Sequence, residues 1–510
     1  MSHRDHRRMV GVLMMLCVVA VFVVSCSNAG LARSKQKARS KATSAASVPL
    51  SWRAISPPSK VAGGFLASVS CVSQKFCVAV GSAPSAPSPG PPHEYMPRTP
   101  PKLVSYGTQN YPGSAVIETF NGNSWHDAHI QGPVGNSALS AVSCVSKRFC
   151  VAVGFGPTGA VIATFRGKRW SMTQAASSKR ANSGVVLNAV SCVSAKFSAA
   201  VGYGGADMGG DLPLSETFDG SSWRVVVGSH ELSVPRSLSS MYEPYISGEY
   251  GWYYVEGLNG VSCVSSKFCV AVGSAGVRSD TSTGGSFPMV DAYNGKTWKT
   301  SLEPTAIHEP LGLRTRGGSD VGLVGISCSS AKSCVAVGSW EQPRCMCMTP
   351  RVTGGWKPPV VTSVVETFNG RSWSAASTPL FNRVVLDDVS CEGRSFCVAS
   401  AAPGMYTAWK WMKPGVLRTP VSAEIFNHNR WQVSTVPLAP PMTGIDYYGL
   451  SCVPDRGSVW CMAVGKAFEL AQVGKGQRLP GLERRYYFPE PRLLHPEVAV
   501  ETLSSARAPS

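Results

Sequence analysis

One alternating pattern of apolar and polar positions occurs seven times along the chain. Its first copy is LASVSCVSQKFCVAVG at 66–81, and the other copies lie at 139–154, 187–202, 258–273, 323–338, 386–400 and 448–465. In each copy two β-branched and cysteine-rich runs flank a short polar connection, which predicts two short strands joined by a tight turn. Strict alternation places Cys150, Ala152 and Gly154 on one face of the second strand and larger residues on the other.

A second pattern follows each of the first six copies and ends in tryptophan. Its first example is VIETFNGNSW, and the tryptophans are Trp125, Trp170, Trp223, Trp298, Trp373 and Trp431. Asn-Gly or Asp-Gly in the middle of this pattern predicts a hairpin with a type I′ turn, in which both central residues have positive φ. Each unit therefore has four antiparallel strands, named a, b, c and d in chain order.

The two ends of the chain complete one further unit. The last copy supplies strands a and b at Cys452 and Cys461, and EVAVETL (497–503) matches strand c, but no tryptophan strand follows. VPLSWRAISPP (48–58) carries Trp52 ahead of the first copy. Repeats of this period are typical of ring-shaped arrays. We therefore predict an all-β fold, a single seven-bladed β-propeller of four-stranded antiparallel blades over residues 48–510, closed by the N-terminal strand.

The chain resembles Kelch and BNR/sialidase-type propeller proteins over nearly all of residues 48–503. The ending Gly122-Asn123-Ser124-Trp125 is similar to the end of a sialidase Asp-box, Ser-x-Asp-x-Gly-x-Thr-Trp. Phe120 occupies the place of the acidic residue of that box, as Tyr293 does in another unit, and the Kelch double glycine is missing. The resemblance implies the propeller fold and does not extend to sialidase chemistry.

Six of the seven copies contain a pair of cysteines, which in an exported protein predicts disulfides between neighbouring strands. The pairs are Cys71/Cys77, Cys144/Cys150, Cys263/Cys269, Cys328/Cys334, Cys391/Cys397 and Cys452/Cys461. In the third copy Cys192 faces Ser198, which predicts a free thiol buried between blades. Cys345 and Cys347 lie in an insertion, where they bond to each other, bond to another chain, or bind a metal weakly. No histidines accompany the repeated pairs, which disfavours zinc.

The N-terminal residues have the anatomy of a signal peptide (1–25), with a basic start and an apolar stretch from Met9 to Ser25. The stretch ends in Val-Val-Ser-Cys, which resembles a bacterial lipobox. The resemblance implies that Cys26 is acylated, palmitate included, and anchors the protein to the extracytoplasmic face of the cell membrane. The alternatives are an uncleaved transmembrane helix, which 17 residues are barely long enough to form, and twin-arginine export through Arg7-Arg8.

Residues 26–47 are poor in large apolar side chains and predict a flexible tether. Its basic residues would lie beside anionic lipid headgroups, although a plain soluble spacer is the alternative. The whole chain has a formal net charge of +18, and charged residues make up only 15% of it. Subtracting the signal peptide and the tether still leaves the propeller basic.

In a four-stranded blade the a–b and c–d turns emerge on one face of the disc, and the b–c and d–a connections emerge on the other. The first face is uniform here, whereas the b–c connections vary from 155–159 to 82–114 and 466–496. Long variable loops on a rigid scaffold concentrate binding residues. The predicted ligand-binding residues are the aromatic and basic side chains of these loops, Tyr250, Trp252, Tyr253, Tyr406, Trp409, Trp411, Arg484 and Arg485. The alternative is that the aromatic rings pack together and cover the disc.

Two functions remain open at the level of sequence. The first is a non-enzymatic cell-envelope lipoprotein whose variable loops bind a surface glycan, a wall polymer or a protein. The second is a glycan-cleaving hydrolase or lyase, for which the candidate acids are Glu94, Glu243, Glu249, Glu256 and Glu341. No two of these acids stand in a motif of specific spacing, and HExxH, Gly-x-Ser-x-Gly and phosphate-binding loops are absent from the sequence. We expect no cofactor, no catalytic metal, no nucleic-acid partner in this compartment, and a monomer.

Overall fold

The repeats fold into β-strands, as a computed structural model of the chain shows. It describes residues 50–58, 61, 64–84, 113–132, 134–176, 185–205, 211–225, 252–278, 285–302, 320–341, 361–376, 384–403, 421–427, 429–436, 444–455, 457–468 and 497–505. The described residues contain no α-helix. Within those residues, no helix has the length and apolar character that crossing a membrane requires. Residues 48–510 form one compact unit.

Strand order follows the repeats. The first half comprises β1 (Leu50–Ala54), β2 (Phe65–Ser73), β3 (Phe76–Pro84), β4 (Gly113–Phe120), β5 (Trp125–Asp127), β6 (Ile130–Gln131), β7 (Ala138–Ser146), β8 (Phe149–Gly156), β9 (Gly159–Arg166), β10 (Trp170–Gln174), β11 (Val185–Ser194), β12 (Phe197–Gly205), β13 (Asp211–Phe218) and β14 (Trp223–Val225). The second half comprises β15 (Trp252–Ser265), β16 (Phe268–Arg278), β17 (Gly285–Tyr293), β18 (Trp298–Leu302), β19 (Asp320–Ser330), β20 (Ser333–Glu341), β21 (Val361–Phe368), β22 (Trp373–Ala375), β23 (Val384–Glu392), β24 (Phe396–Pro403), β25 (Val421–Asn427), β26 (Arg430–Val436), β27 (Gly444–Asp455), β28 (Ser458–Phe468) and β29 (Glu497–Ser505).

These strands form seven antiparallel blades, numbered in the order of the repeats. Blades 1 to 6 have the a, b, c and d strands β2 to β5, β7 to β10, β11 to β14, β15 to β18, β19 to β22 and β23 to β26. Blade 7 is β27, β28, β29 and β1. Two features depart from the repeat: β6 adds a short parallel strand beside β10, and a single bridge between Ser286 and Asp320 joins blades 4 and 5.

The N-terminal strand closes the ring, as predicted. Trp52 lies opposite Leu503, and β1 runs antiparallel to β29 from Leu50 to Ala54. The Trp52 ring is buried, stacks on Tyr447 with centroids 6.2 Å apart, and donates its indole N–H to Ser434 Oγ of blade 6 at 3.1 Å. The last blade therefore consists of both ends of the propeller sequence.

A circle of hydrogen bonds joins the seven innermost strands. The serine of each Val-Ser-Cys or equivalent triplet accepts a hydrogen bond from the backbone N–H of the corresponding cysteine in the next blade. The pairs are Ser70 with Cys144, Ser143 with Cys192, Ser191 with Cys263, Ser262 with Cys328, Ser327 with Cys391, Ser390 with Cys452 and Ser451 with Cys71. The last pair joins blade 7 to blade 1, so the circle is complete. We call this set the serine circle.

The innermost strands also touch directly. Each has a β-bulge at the residue after its first conserved apolar position, for example between Leu66 and Ser68 and between Tyr447 and Gly449. A Cβ on Gly449 would lie 2.5 Å from the Cα of Ser68 in blade 1. Glycine is required there because two backbones approach more closely than any side chain permits.

Apolar side chains pack between neighbouring blades. In blade 2, Cys150 and Ala152 face blade 1 in a cluster that contains Trp170. Phe149, Val151 and Val153 face blade 3 and meet Leu187 and Leu214. This confirms the predicted assignment of small and large residues to opposite faces, which lets adjacent sheets stack closely.

The type I′ prediction for the c–d turns is wrong. Only the glycine has positive φ, as in Gly122 at 101°, and Asn121 is not among the residues of positive φ. Asn121 Oδ1 instead accepts the N–H groups of Asn123 and Ser124, both at 2.9 Å. Asp219 Oδ1 accepts the N–H groups of Ser221 and Ser222 in the same way. The asparagine or aspartate is selected as a side-chain acceptor, a role that the dipeptide alone does not reveal.

All six predicted disulfides are present, and each joins residues that lie directly opposite each other on strands a and b. They are Cys71–Cys77, Cys144–Cys150, Cys263–Cys269, Cys328–Cys334, Cys391–Cys397 and Cys452–Cys461. Cys192 is the free cysteine of the described residues, as predicted, and Ser198 faces it across the same strand pair.

The a–b and c–d turns share one face of the disc. A Cβ on Gly122, in the c–d turn of blade 1, would lie 3.2 Å from the Cα of Lys75, in the a–b turn of the same blade. The disulfides lie at the base of the a–b turns. We therefore call this face the cystine face and the opposite one the variable face.

Candidate functional site

The structure describes only two of the eight predicted ligand-binding residues. Tyr250, Tyr406, Trp409, Trp411, Arg484 and Arg485 lie outside the described residues. Trp252 and Tyr253 belong to β15, with their backbones opposite Arg278 and Val277. The innermost strand of blade 4 therefore begins at Trp252, ahead of the repeat copy at 258–273.

The disulfide cysteines are structural residues and do not belong to a ligand site. The strand-b member of every pair is buried between blades, and these members are Cys77, Cys150, Cys269, Cys334, Cys397 and Cys461. Their sulfur atoms pack against apolar side chains of the inter-blade clusters, as Cys77 does beside Val69 and Trp460. The pairs therefore stabilise the blades and present no reactive group to a ligand.

A group of titratable side chains lies at the variable end of blades 6 and 7. Asp446 is near the start of β27 and pairs across the strands with Lys466 of β28. Burial raises the pKa of Asp446 to about 7, and the positive charge of Lys466 opposes the rise. Burial also lowers the pKa of Lys466, opposed by Asp446. Each group loses hydration and is partly compensated by the other.

Tyr448 and Asp387 belong to the same group. Both are bulge residues of innermost strands, Tyr448 in blade 7 and Asp387 in blade 6. Burial, then the charges of Asp446 and Asp387, raise the pKa of Tyr448 well above its ordinary value. The ring of Tyr448 meets Phe65 of blade 1 edge to face at 6.3 Å. We call Asp387, Asp446, Tyr448 and Lys466 the blade 6–7 cluster.

The neighbouring Asp388 has a structural role. Its Oδ2 accepts the N–H of Leu450 in blade 7 at 2.9 Å, and its Oδ1 accepts the N–H of Val389 at 2.9 Å. The Ser400 hydroxyl accepts the N–H of Asp388 at 3.0 Å. These bonds fix the start of the innermost strands on which Asp387 and Tyr448 sit.

The blade 6–7 cluster combines a proton donor, a cation and a phenol. A carboxyl group with a pKa near 7 exchanges a proton readily at neutral pH, which general acid–base catalysis requires. The sequence carried a signal for it, because Tyr447-Tyr448-Gly-Leu stands where each of the other six copies begins with leucine. Reading those positions only as strand residues missed this signal.

None of the candidate acids named from the sequence has a described side chain. Glu94, Glu243 and Glu249 fall outside the described residues, and only the backbones of Glu256 and Glu341 are described. The sequence analysis missed a second set of acids, which occupy one position of strand c and are buried between blades: Glu118, Glu216, Asp291, Glu366 and Glu424. An alanine of strand b lies opposite each one, as Ala200 does for Glu216.

These inter-blade acids are packed rather than presented to solvent. Glu216 is fully buried, and burial raises its pKa to about 8 while a backbone hydrogen bond from Ala176 of blade 2 opposes the rise. Burial raises the pKa of Asp291 to about 6, opposed by the Thr300 hydroxyl. Their position between sheets indicates that they contribute to stability and its pH dependence.

The free thiol is protected. Ser198 Oγ donates a hydrogen bond to Cys192 Sγ at 3.0 Å, and burial raises the pKa of the thiol to about 11. A protonated buried thiol is a poor nucleophile. In the part of the chain that the structure describes, no three His, Cys, Asp or Glu side chains form a group that could hold a metal ion; Cys345 and Cys347 lie outside that part.

No family model matches the chain, and no curated protein matches it. Solved structures do show likeness. The YCF48 protein bound to D1 peptide is 11% identical with a TM-score of 0.41, over 83% of this chain and 96% of that one. The polysaccharide lyase Uly1 is 6% identical with a TM-score of 0.42, over 86% and 89%. Trypanosoma rangeli sialidase is 9% identical with a TM-score of 0.35, over 89% and 57%. These values are too low to transfer a ligand or a reaction, and the propeller assignment rests on the strand pairing itself.

Proposed function

We propose that this protein is a non-enzymatic cell-envelope lipoprotein whose variable face binds a surface glycan, a wall polymer or a protein partner. The observation that carries the proposal is the difference between the two faces. On the cystine face every described turn is short. On the variable face the b–c connection ranges from the two residues between β8 and β9 to the segment between Pro84 and Gly113.

Binding sites are commonly placed on variable loops that a rigid scaffold supports. The scaffold here has six disulfides and a complete serine circle. The sequence between the blade strands contains the predicted binding residues Tyr250, Tyr406, Trp409, Trp411, Arg484 and Arg485, and β15 begins with Trp252 and Tyr253. Aromatic faces with guanidinium groups suit sugars and protein surfaces alike.

Binding can be tested with residues 48–510 on arrays of glycans and wall polymers and by pull-down from envelope extracts. We expect retention that is lost when Arg484 and Arg485 are both replaced by alanine. The matched control is the pair Arg166→Ala and Lys168→Ala, two exposed residues of a cystine-face turn, which should leave retention unchanged. No retention of the parent protein on any surface would contradict the proposal.

The lipid anchor is a separate part of the proposal and depends on Cys26. Replacing Cys26 by alanine should release the protein from the membrane fraction or leave an unprocessed precursor. Mass spectrometry of the mature N-terminus and fractionation of the variant measure both results. Normal processing with unchanged membrane attachment would contradict the lipobox interpretation.

The blade 6–7 cluster favours a second candidate, a glycan-cleaving hydrolase or lyase. A panel of polysaccharides assayed for new reducing ends or unsaturated products would detect either reaction. Activity should then fall at least tenfold in Asp446→Asn, as expected when a general acid is removed. Asp388→Asn changes a neighbouring carboxyl outside the cluster, and its effect would distinguish loss of chemistry from loss of local structure.

A further inference from the structure

The sequence has a basic residue in the a–b connection of every repeat. These residues are Lys75, Arg148, Lys196, Lys267, Lys332, Arg394 and Arg456. The first six belong to the described residues, and all six side chains are exposed. A strand pair needs no cation in its turn, so the repetition is not explained by the fold of a single blade.

The c–d turns add a second, outer set of cations. Arg166, Lys168, Arg169, Lys296, Arg371 and Arg430 are all exposed. The two sets are adjacent, because a Cβ on Gly295 would lie 3.2 Å from the Cα of Lys267, and one on Gly220 would lie 3.3 Å from the Cα of Lys196. The described cations therefore line the cystine face at the a–b turns of blades 1 to 6, and the c–d turns of blades 2, 4, 5 and 6 add more.

Few carboxylates balance this charge. Among the described residues of the a–b and c–d turns, the acids are Asp219, Glu392 and Asp455. Asp219 accepts several hydrogen bonds from Ser221 and Ser222 and contacts Arg224 at 3.1 Å. Cations outnumber carboxylates several-fold, so the cystine face has a positive potential.

The chain also enters the propeller at this face. Leu50 pairs with Ser505, and Ser504 pairs with Trp460 near the start of β28, next to an a–b turn. The segment that leads to Leu50 contains Arg33, Lys35, Lys37, Arg39 and Lys41. The first described strand therefore starts at the cystine face, and the sequence before it is basic.

We infer that the cystine face docks on the surface of an anionic lipid bilayer. A bilayer is a plane of negative headgroups, and the cations are spread over the blades in a plane rather than along one line, as a single polymer chain would require. Each Lys or Arg near such a surface adds to the attraction. Docking in this orientation directs the variable face away from the membrane, toward the ligands of the proposed function. It requires no acylation of Cys26 and involves none of the proposed ligand-binding residues.

The experiment uses residues 48–510, the compact unit that holds all seven blades, and vesicles of phosphatidylcholine with and without phosphatidylglycerol. In the test variant Lys75, Lys196, Lys267 and Lys332 are all replaced by glutamate. In the matched control the same change is made at Lys102, Lys357, Lys410 and Lys475, which the sequence places between strands b and c and which are not among the proposed ligand-binding residues. The net charge of the two variants is identical, and melting curves verify that both fold.

We expect the parent protein to cosediment with the anionic vesicles and not with pure phosphatidylcholine, and added salt to weaken binding. The test variant should bind the anionic vesicles at least tenfold more weakly, and the control should bind like the parent. Equal losses in both variants, or equal binding to both kinds of vesicle, would overturn the inference. Binding of soluble polyphosphate without binding of vesicles would also overturn it, in favour of a polymer. If the control variant binds the vesicles but loses binding to a glycan or a protein, that result bears on the proposed function and leaves this inference intact.

Discussion

The two faces of the disc are built under opposite constraints. On the cystine face the turns resemble one another, because strands a and b are fixed by the serine circle, by contact with the adjacent blade and, in six of the seven blades, by a disulfide. On the variable face the connections share neither length nor composition. The b–c connection of blade 2 is the Pro157-Thr158 turn, whereas that of blade 1 spans 85–112.

This difference separates the residues that hold the ring together from the residues of the connections, which can vary without disrupting the ring. A propeller is stable only if every blade meets both neighbours, so residues that make those contacts recur in each repeat. The b–c and d–a connections share no recurring residues in the sequence. Mutations of the ring should therefore change stability, and mutations of the variable face should change binding, and the following predictions test that division.

The largest effect is expected from removal of the ring-closing strand. Deleting 48–58 exposes the edge of β29 and the core around Tyr447, which invites aggregation. The loss of buried Trp52 alone would cost about 3–5 kcal/mol. We expect a lower melting temperature and oligomers in size-exclusion chromatography. Deleting 27–46 is the control, and equal melting temperatures for the two deletions would contradict closure by β1.

The fold could be predicted well from the sequence because the same pattern of residues occurs seven times. Seven copies of one pattern made the blade count, the six disulfides, the unpaired Cys192 and the closing role of Trp52 deducible from spacing and alternation. Each depends on a residue type in register with the same type in other blades. A single copy would have indicated only a hairpin.

Interactions between blades were harder to predict. In the sequence Ser262 is only one polar position of a strand. Its hydrogen bond from the Cys328 N–H becomes apparent only when blades 4 and 5 lie side by side. Asp446 and Asp387 are 59 positions apart in the printed sequence and meet Tyr448 through packing of blades 6 and 7. The periodicity of the sequence describes the strands of one blade, whereas the blade 6–7 cluster forms from residues of two adjacent blades. The aromatic residues of the variable face remain a prediction.

The inter-blade acids should make ring stability depend on pH. Burial raises the pKa of Glu216 to about 8 from an ordinary value of 4.5, so the folded state holds its proton more tightly than the unfolded state. The free energy by which this protonated carboxyl favours the folded state is fully present below pH 4.5. It declines as pH rises toward 8. Each pKa unit corresponds to about 1.4 kcal/mol, and Glu216→Gln should therefore gain a few kcal/mol over the parent at pH 8 and nothing at pH 4.5.

Urea denaturation at these two values of pH measures the effect. Asp219→Asn is the control in the same blade, since hydrogen bonds from Ser221 and Ser222 lower the pKa of that exposed carboxyl. It should bring no gain at high pH. If the difference between Glu216→Gln and the parent did not change with pH, the carboxyl would not be protonated in the folded protein.

A smaller effect is expected from one link of the serine circle. Ser262→Ala removes the acceptor of the Cys328 N–H, which lies 2.9 Å away. Loss of a partner at a partly buried donor costs about 1–3 kcal/mol. The exposed Ser266 in the adjacent turn provides the control, and Ser266→Ala should be neutral. Equal stability of the two variants by chemical denaturation would show that water replaces the serine and that the circle adds little to the ring.

The smallest effect is expected from repairing the one blade that departs from the cysteine pattern. Ser198 lies directly opposite Cys192, as each bonded cysteine lies opposite its partner, so Ser198→Cys places a second sulfur where the other blades have one. Closing so short a loop stabilises by about 2 kcal/mol at most in the chain-entropy model, and strain lowers the gain. Thiol titration under denaturing conditions should show no additional free thiol in the oxidised variant. The difference in melting temperature between the oxidised and reduced forms should be larger for the variant than for the parent. The two thiols of the Ser198→Cys variant, at positions 192 and 198, could instead both remain free under oxidising conditions. Blade 3 would then differ from the disulfide-bonded blades in more than one side chain, and its strands a and b would not be equivalent to theirs.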